Sequence, residues 1–251
     1  MRPIADIVRL MGNKDQGVAF YAYHELLGAV TGGQVAEESE RAALATDLTK
    51  ELNAMVPGGF DDRGNPLPPK MKHSAAVRNK IARLLSYIGS EVEVPALARA
   101  MEDLEVREMA RFALDGNACE SATQALIAAL EEVGPIFRVG VVNSLAARNG
   151  PEVLAALKKT ASDSDREVSI AAVEALSNFP DPSCDPIMAQ AASSGSPHDR
   201  NRAIVARLRL ADRLRASGQR EAAAKIYREI QASSAEPAHK KAAEIGLRGP
   251  S

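Results

Sequence analysis

One apolar pattern recurs through the middle of this chain at intervals of about thirty residues, and it limits the possible folds more than any other feature of the sequence. Four stretches align: VRNKIARLLSYIG from Val77, VREMARFALDGN from Val106, FRVGVVNSLAARN from Phe137 and VSIAAVEALSNF from Val168. Counting from those residues as offset 0, offset 4 holds Ile81, Ala110, Val141 and Ala172, and offset 8 holds Leu85, Leu114, Leu145 and Leu176. The starting points lie 29, 31 and 31 residues apart. Offsets 0, 4 and 8 trace one stripe of an α-helix, and the strict alternation of a half-buried strand is missing. The four leucines are the expected core.

A second amphipathic stretch precedes each of the later helices: VPALARAME, ATQALIAALEE and EVLAALKKTA. Short turns rich in acids, Gly or Pro join the two: EDLE, EEVGP and SDSD. The unit is a helical hairpin too small to bury its own apolar side, so hairpins must stack to share a continuous core. Composition agrees. The chain is 45% hydrophobic but only 4% aromatic, with no Trp, and a sheet would ask for more β-branched and aromatic residues. The fold predicted is all-α, a right-handed α-solenoid of about six antiparallel helical hairpins.

The stretch SDSDREVSIAAVEALSNF, a turn with Asp followed by a Val and paired alanines, resembles the second helix of a HEAT repeat. VRNKIARLLSYIGSEVEVPALARAMEDLEVREMARFAL resembles bacterial HEAT-repeat proteins, planctomycete-like ones among them. The resemblance covers residues 77–190 and implies the fold, not an activity. Towards the N-terminus, GVAFYAYHELLGAV fits the same template, with Val18, Ala22 and Leu26 at offsets 0, 4 and 8. Towards the C-terminus, Gly218, Ala223, Tyr227 and Pro237 are spaced much as in the second helix of a tetratricopeptide repeat. The resulting division is N-terminal hairpins over 1–55, a Pro/Gly-rich surface loop over 56–74, HEAT-like repeats over 75–190 and a tetratricopeptide-like hairpin and cap over 191–251. The loop carries Phe60, Leu67 and Met71, which suit either the surface or a plug in the groove.

Candidate chemistry is sparse. His24-Glu25 is one His-Glu pair of the kind from which the HEAT-like deoxyhypusine hydroxylases build an iron site, but a single pair falls short of the three or more ligands a metal needs. Cys119 and Cys184 are 65 positions apart with no second ligand at metal spacing. FDDRGNPL lacks the alternating acids and final Glu of a calcium loop. No phosphate-binding glycine loop or nucleophile elbow occurs. The expectation is a non-enzyme with no cofactor and no metal. The first dozen residues lack a secretory signal, and no run of about twenty apolar residues is present, so a cytoplasmic location and no membrane partner are expected.

Charge is unevenly spread although the net value is −2. Residues 91–133 hold ten acids against three bases, and residues 199–228 nine bases against three acids. The row Arg200, Arg202, Arg207, Arg209, Arg213 and Arg215 suits a phosphate backbone, which makes a nucleic-acid binder one rival reading. The HEAT-like alkylpurine DNA glycosylases use basic and aromatic residues in this way, but the acidic middle disfavours nucleic acid here. The other rival is a HEAT-like enzyme, either a metal-dependent oxygenase or a lyase of the kind that handles phycobilins.

The leading expectation is a scaffold that binds a protein or peptide on the concave face lined by the second helices. Offsets 2, 6 and 9 point away from the core stripe. They name Arg83, Glu108, Phe112, Val139, Asn143, Ile170 and Glu174 as partner-binding residues, with Phe112, Val139 and Ile170 forming an exposed apolar patch. The sequence leaves the oligomeric state open.

Overall fold

The computed structural model describes residues 2–32, 37–234 and 236–248. It divides into two units, Met1–Ala129 and Leu130–Ser251. Fourteen α-helices and one two-stranded ladder make up the regular structure of the described residues. The fold class is all-α, an α-solenoid type in which antiparallel helical hairpins stack in chain order within each unit.

The first unit contains α1 (Ile4–Met11), α2 (Gln16–Thr31), α3 (Glu38–Leu52), α4 (Ala75–Leu85), α5 (Val94–Ala100), α6 (Arg107–Gly116) and most of α7 (Glu120–Glu132). Short polar caps start several of these helices. Asp15 accepts hydrogen bonds from the N–H groups of Gly17 and Val18, and Ser74 accepts one from Val77, so otherwise orphaned donors of the first turn are satisfied. α3 packs on α1, α4 and α5, while α4 touches α2 on one side and α6 on the other. Leu85 and Leu114 are fully buried, as the repeat predicts. In α2 the buried side is Ala19, Ala22, Leu26 and Ala29. Val18, expected in the core at offset 0, lies in the first turn and is 38% exposed.

The segment between α3 and α4 is an ordered excursion with its own short hairpin. β1 (Met55–Val56) pairs antiparallel with β2 (Lys70–Met71), in the register Met55 to Met71, and Phe60 bridges Pro66. Asp61 ties the tip by accepting from the backbone of Arg63 and Asn65. The strands come so close that a Cβ on Gly58 would sit 2.0 Å from the carbonyl oxygen of Pro68, so only glycine fits there. Phe60 is 73% and Leu67 45% exposed, so this loop does not plug a groove with its apolar residues.

The second unit contains α8 (Pro135–Ala146), α9 (Pro151–Thr160), α10 (Arg166–Leu176), a short 3-10 turn (Pro182–Cys184), α11 (Asp185–Ser193), α12 (Pro197–Ala216), α13 (Arg220–Ser233) and α14 (Pro237–Arg248). Proline at the first helical positions of α8, α9 and α12 removes a donor that would lack a partner anyway. Asp165 caps α10, and Ser196 with Asp199 forms a reciprocal capping box on α12. α10 packs against α8, α9 and α12, and Leu145 and Leu176 are fully buried. The last hairpin turns at Gly218 (φ +87°), and Ala223 and Tyr227 are buried between α13 and its neighbours.

A charged device missing from the apolar pattern ties successive hairpins. Arg78, at offset 1 of α4, donates Nε–H to the carbonyl of Leu52 at 2.8 Å and pairs with Asp103 in the turn before α6. Arg138, at offset 1 of α8, repeats the arrangement with the Val133 carbonyl at 2.8 Å and Asp163 at 2.6 Å. Each aspartate also caps its own turn by accepting from the N–H two residues on, Glu105 and Asp165. The Arg78 guanidinium holds the Asp103 carboxyl below the usual carboxylate range. For Asp163 burial acts upward, but the Asp165 N–H and the Arg138 guanidinium outweigh it, and its pKa is also lowered. A folded-state pKa below the unfolded one stabilises at neutral pH, and that contribution disappears as pH falls through the folded values. The denaturant midpoint is therefore expected to drop as pH falls below about 4, more gently in Asp103→Asn than in the wild type. Parallel pH profiles for the two proteins would rule this linkage out.

Candidate partner-binding face

The three members of the expected apolar patch meet different environments. In the first unit Phe112 on α6 is 43% exposed, as expected, with Glu108 exposed one turn earlier and Arg83 half-exposed on α4. In the second unit Asn143 is exposed and Val139 half-buried, but Ile170 is only 4% exposed. Ile170 was expected to face the partner; instead α10 is enclosed by α8, α9 and α12, so offset 2 is not an open position there. Glu174 is also occupied, gripped by Arg202 through two hydrogen bonds of 2.9 and 2.8 Å.

The open face of the first unit is richer than the sequence expectation. The helices α2, α4 and α6 follow one another, and their exposed sides carry a run of aromatic and cationic side chains. On α2, Phe20 (55% exposed) stacks on His24 with ring centroids 4.1 Å apart, and Tyr21 and Tyr23 meet this pair edge-on. On α4, Lys80 Nζ lies 5.7 Å from the Tyr23 ring centroid. Arg83 donates to the Tyr87 hydroxyl at 3.2 Å and holds its guanidinium 5.7 Å from that ring and 5.1 Å from the Phe112 ring. Such cation–π contacts fix long side chains in place at an exposed surface. Tyr23 is half-buried, and this burial pushes its phenol pKa upward. The chain has four tyrosines and five phenylalanines; three and two of them stand here, so the concentration is not a sampling of a generally aromatic surface. His24 is thus part of an aromatic stack. Among the described residues no three His, Cys, Asp or Glu side chains converge in a way that would hold a metal.

The arginine row on α12 behaves differently from a phosphate-tracking stripe. Arg207 is buried and pairs with Asp185 at 2.7 Å and Glu229 at 2.6 Å; burial would lower its pKa, yet these carboxylates raise it. Arg202 binds Glu174 and Glu167, Arg213 donates to Asn178, Arg215 to the Gly246 carbonyl, and Arg200 to the Gly195 carbonyl. Arg209 is exposed. The expected basic patch is corrected to a set of struts between helices, because its partners stand on α10, α11, α13 and α14 or in neighbouring turns. No helix among the described residues is long and apolar enough to cross a membrane.

Residues 123–209 match the family model for HEAT repeats. No curated protein matches the sequence. Among solved structures, human deoxyhypusine hydroxylase is 16% identical, with 98% of this chain and 94% of that one covered and a TM-score of 0.37. The CpcE–CpcF complex of phycocyanin lyase from Nostoc sp. PCC7120 is 18% identical, with 98% and 87% covered and a TM-score of 0.43. A computationally designed armadillo repeat protein for modular peptide recognition is 19% identical, with 81% and 98% covered and a TM-score of 0.42. The expectation of a non-enzyme is corrected: a hydroxylase and a lyase are among the solved structures to which this chain is similar.

Proposed function

From a chain whose residues 123–209 match the HEAT-repeat family model, we propose a scaffold that recognises a protein or peptide segment on the exposed face of α2, α4 and α6. The observation that carries this reading is the cluster of exposed Phe20, Tyr21, Tyr87 and Phe112 around half-buried Tyr23, already fixed by stacking and cation–π contacts. Aromatic side chains offer large contact area at little entropic cost, and pre-ordered ones lose still less on binding. Arg83, Glu108 and Phe112 belong to this face; Phe20, Tyr23 and Lys80 join them. The small, buried Ala223 and the aromatic, buried Tyr227 in α13 support a tetratricopeptide-like last hairpin.

The test is selection from a random peptide library displayed on phage. Peptides enriched on the wild type are expected to lose about tenfold or more in affinity for the Phe20→Ala, Phe112→Ala double variant. They should bind Ile136→Ala unchanged, since Ile136 is an exposed apolar residue of the other unit. Failure to enrich any peptide, or equal binding to the double variant, overturns the reading.

A further inference from the structure

The charges on this face are unbalanced in one direction. Two of its carboxylates have cationic partners: Glu25 pairs with Arg2, and Glu108 accepts from Arg111 Nε at 3.2 Å. Its two central cations have none among the described residues. Lys80 contacts the Tyr23 ring, and Arg83 contacts the Tyr87 hydroxyl and the Tyr87 and Phe112 rings. A guanidinium laid over an aromatic ring keeps its in-plane N–H donors for a partner, and a planar fork suits a carboxylate.

Resting on the reading above, we propose that the segment held on α2, α4 and α6 is acidic, with two carboxylate side chains separated by one residue and an aliphatic or aromatic side chain two residues beyond each. Lys80 and Arg83 are three residues apart on α4, so they stand side by side on the helix surface, roughly 5–6 Å apart at Cβ. Alternate side chains of an extended peptide point the same way at roughly 7 Å spacing, which presents two carboxylates separated by one residue to these two cations. Apolar side chains two residues beyond each carboxylate share its side of the peptide and rest on Phe20 on one flank and Phe112 on the other. A basic segment would meet Lys80 and Arg83 with like charge.

The experiment measures fluorescence anisotropy of labelled peptides of equal length that carry Leu and Phe two residues outside a pair of Glu, of Gln or of Lys side chains separated by one residue, with a single-stranded oligothymidine as a fourth probe. The Glu peptide is expected to bind tightest, to weaken as salt is raised, and to fall roughly tenfold on Lys80→Gln, Arg83→Gln, reaching the level of the Gln peptide. Circular dichroism melting of that double variant is expected to match the wild type, since both side chains stand on the surface. Equal or tighter binding of the Gln or Lys peptide overturns the acidic specificity while leaving peptide recognition in place. Binding of the oligothymidine with none of the peptides bound, or binding of no probe, overturns both.

Discussion

Arg78→Ala is expected to lower stability by about 3–5 kcal/mol, read as a fall in denaturant midpoint at unchanged slope. The size follows from what is left behind. The Arg78 side chain is 3% exposed, so truncation opens a cavity between α3, α4 and the turn before α6 and strips the Leu52 carbonyl of its Nε–H donor. Asp103 loses its counter-ion but is 27% exposed and can turn to water, which keeps the cost from rising further. The intact pair need not be a large net stabiliser, since Arg78 Nη2 is buried with no partner among the described residues. Breaking such an arrangement costs more than making it gains. A variant within about 0.5 kcal/mol of the wild type would show that the side chain is a solvated strut and not a structural tie.

Phe137→Ala should cost about 3–5 kcal/mol, whereas Ile136→Ala next to it should stay within about 0.5 kcal/mol. The two apolar residues are neighbours in the first turn of α8 with opposite fates: Phe137 is 1% exposed and Ile136 89%. Phe137 occupies offset 0, against α10, so its loss leaves a void that the packed neighbours fill only in part. Equal midpoints for the two variants would contradict the register of the whole repeat, because that register alone separates them.

The residues that were legible in the sequence are those whose environment is set by their own helix. Leu85, Leu114, Leu145 and Leu176 recur at one offset because every hairpin buries the same stripe, and that regularity survives without knowledge of any neighbour. Ile170 and the α12 arginines were misread for a common physical reason. Their surroundings come from elements 22 to 35 residues away: Glu174 and Glu167 for Arg202, Asp185 and Glu229 for Arg207. A twenty-residue α12 covers what would otherwise be an outward side of α10. The Arg78–Asp103 and Arg138–Asp163 ties had a signal, since both span 25 residues and Arg107 stands at the same offset between them. Arginine on a helix reads as a solvated charge until a recurring aspartate is set beside it. On the candidate face, Phe112 and Arg83 were visible from their offsets. Phe20 and His24 occupy the same offsets 2 and 6 in α2, but that helix lies outside the regular run, where the template is least constrained.

The arginine ties also bear on how the stack can come apart. A row of hairpins held only by neighbouring apolar faces can peel from an end, one brick at a time. Arg78 reaches from the last carbonyls of α3 across α4 to the turn ahead of α6, and so spans two consecutive seams at once. Neither seam can open without the other losing a buried ion. The smallest piece able to detach there is a block of several helices, which raises the threshold for fraying in the interior above that of the uncoupled ends.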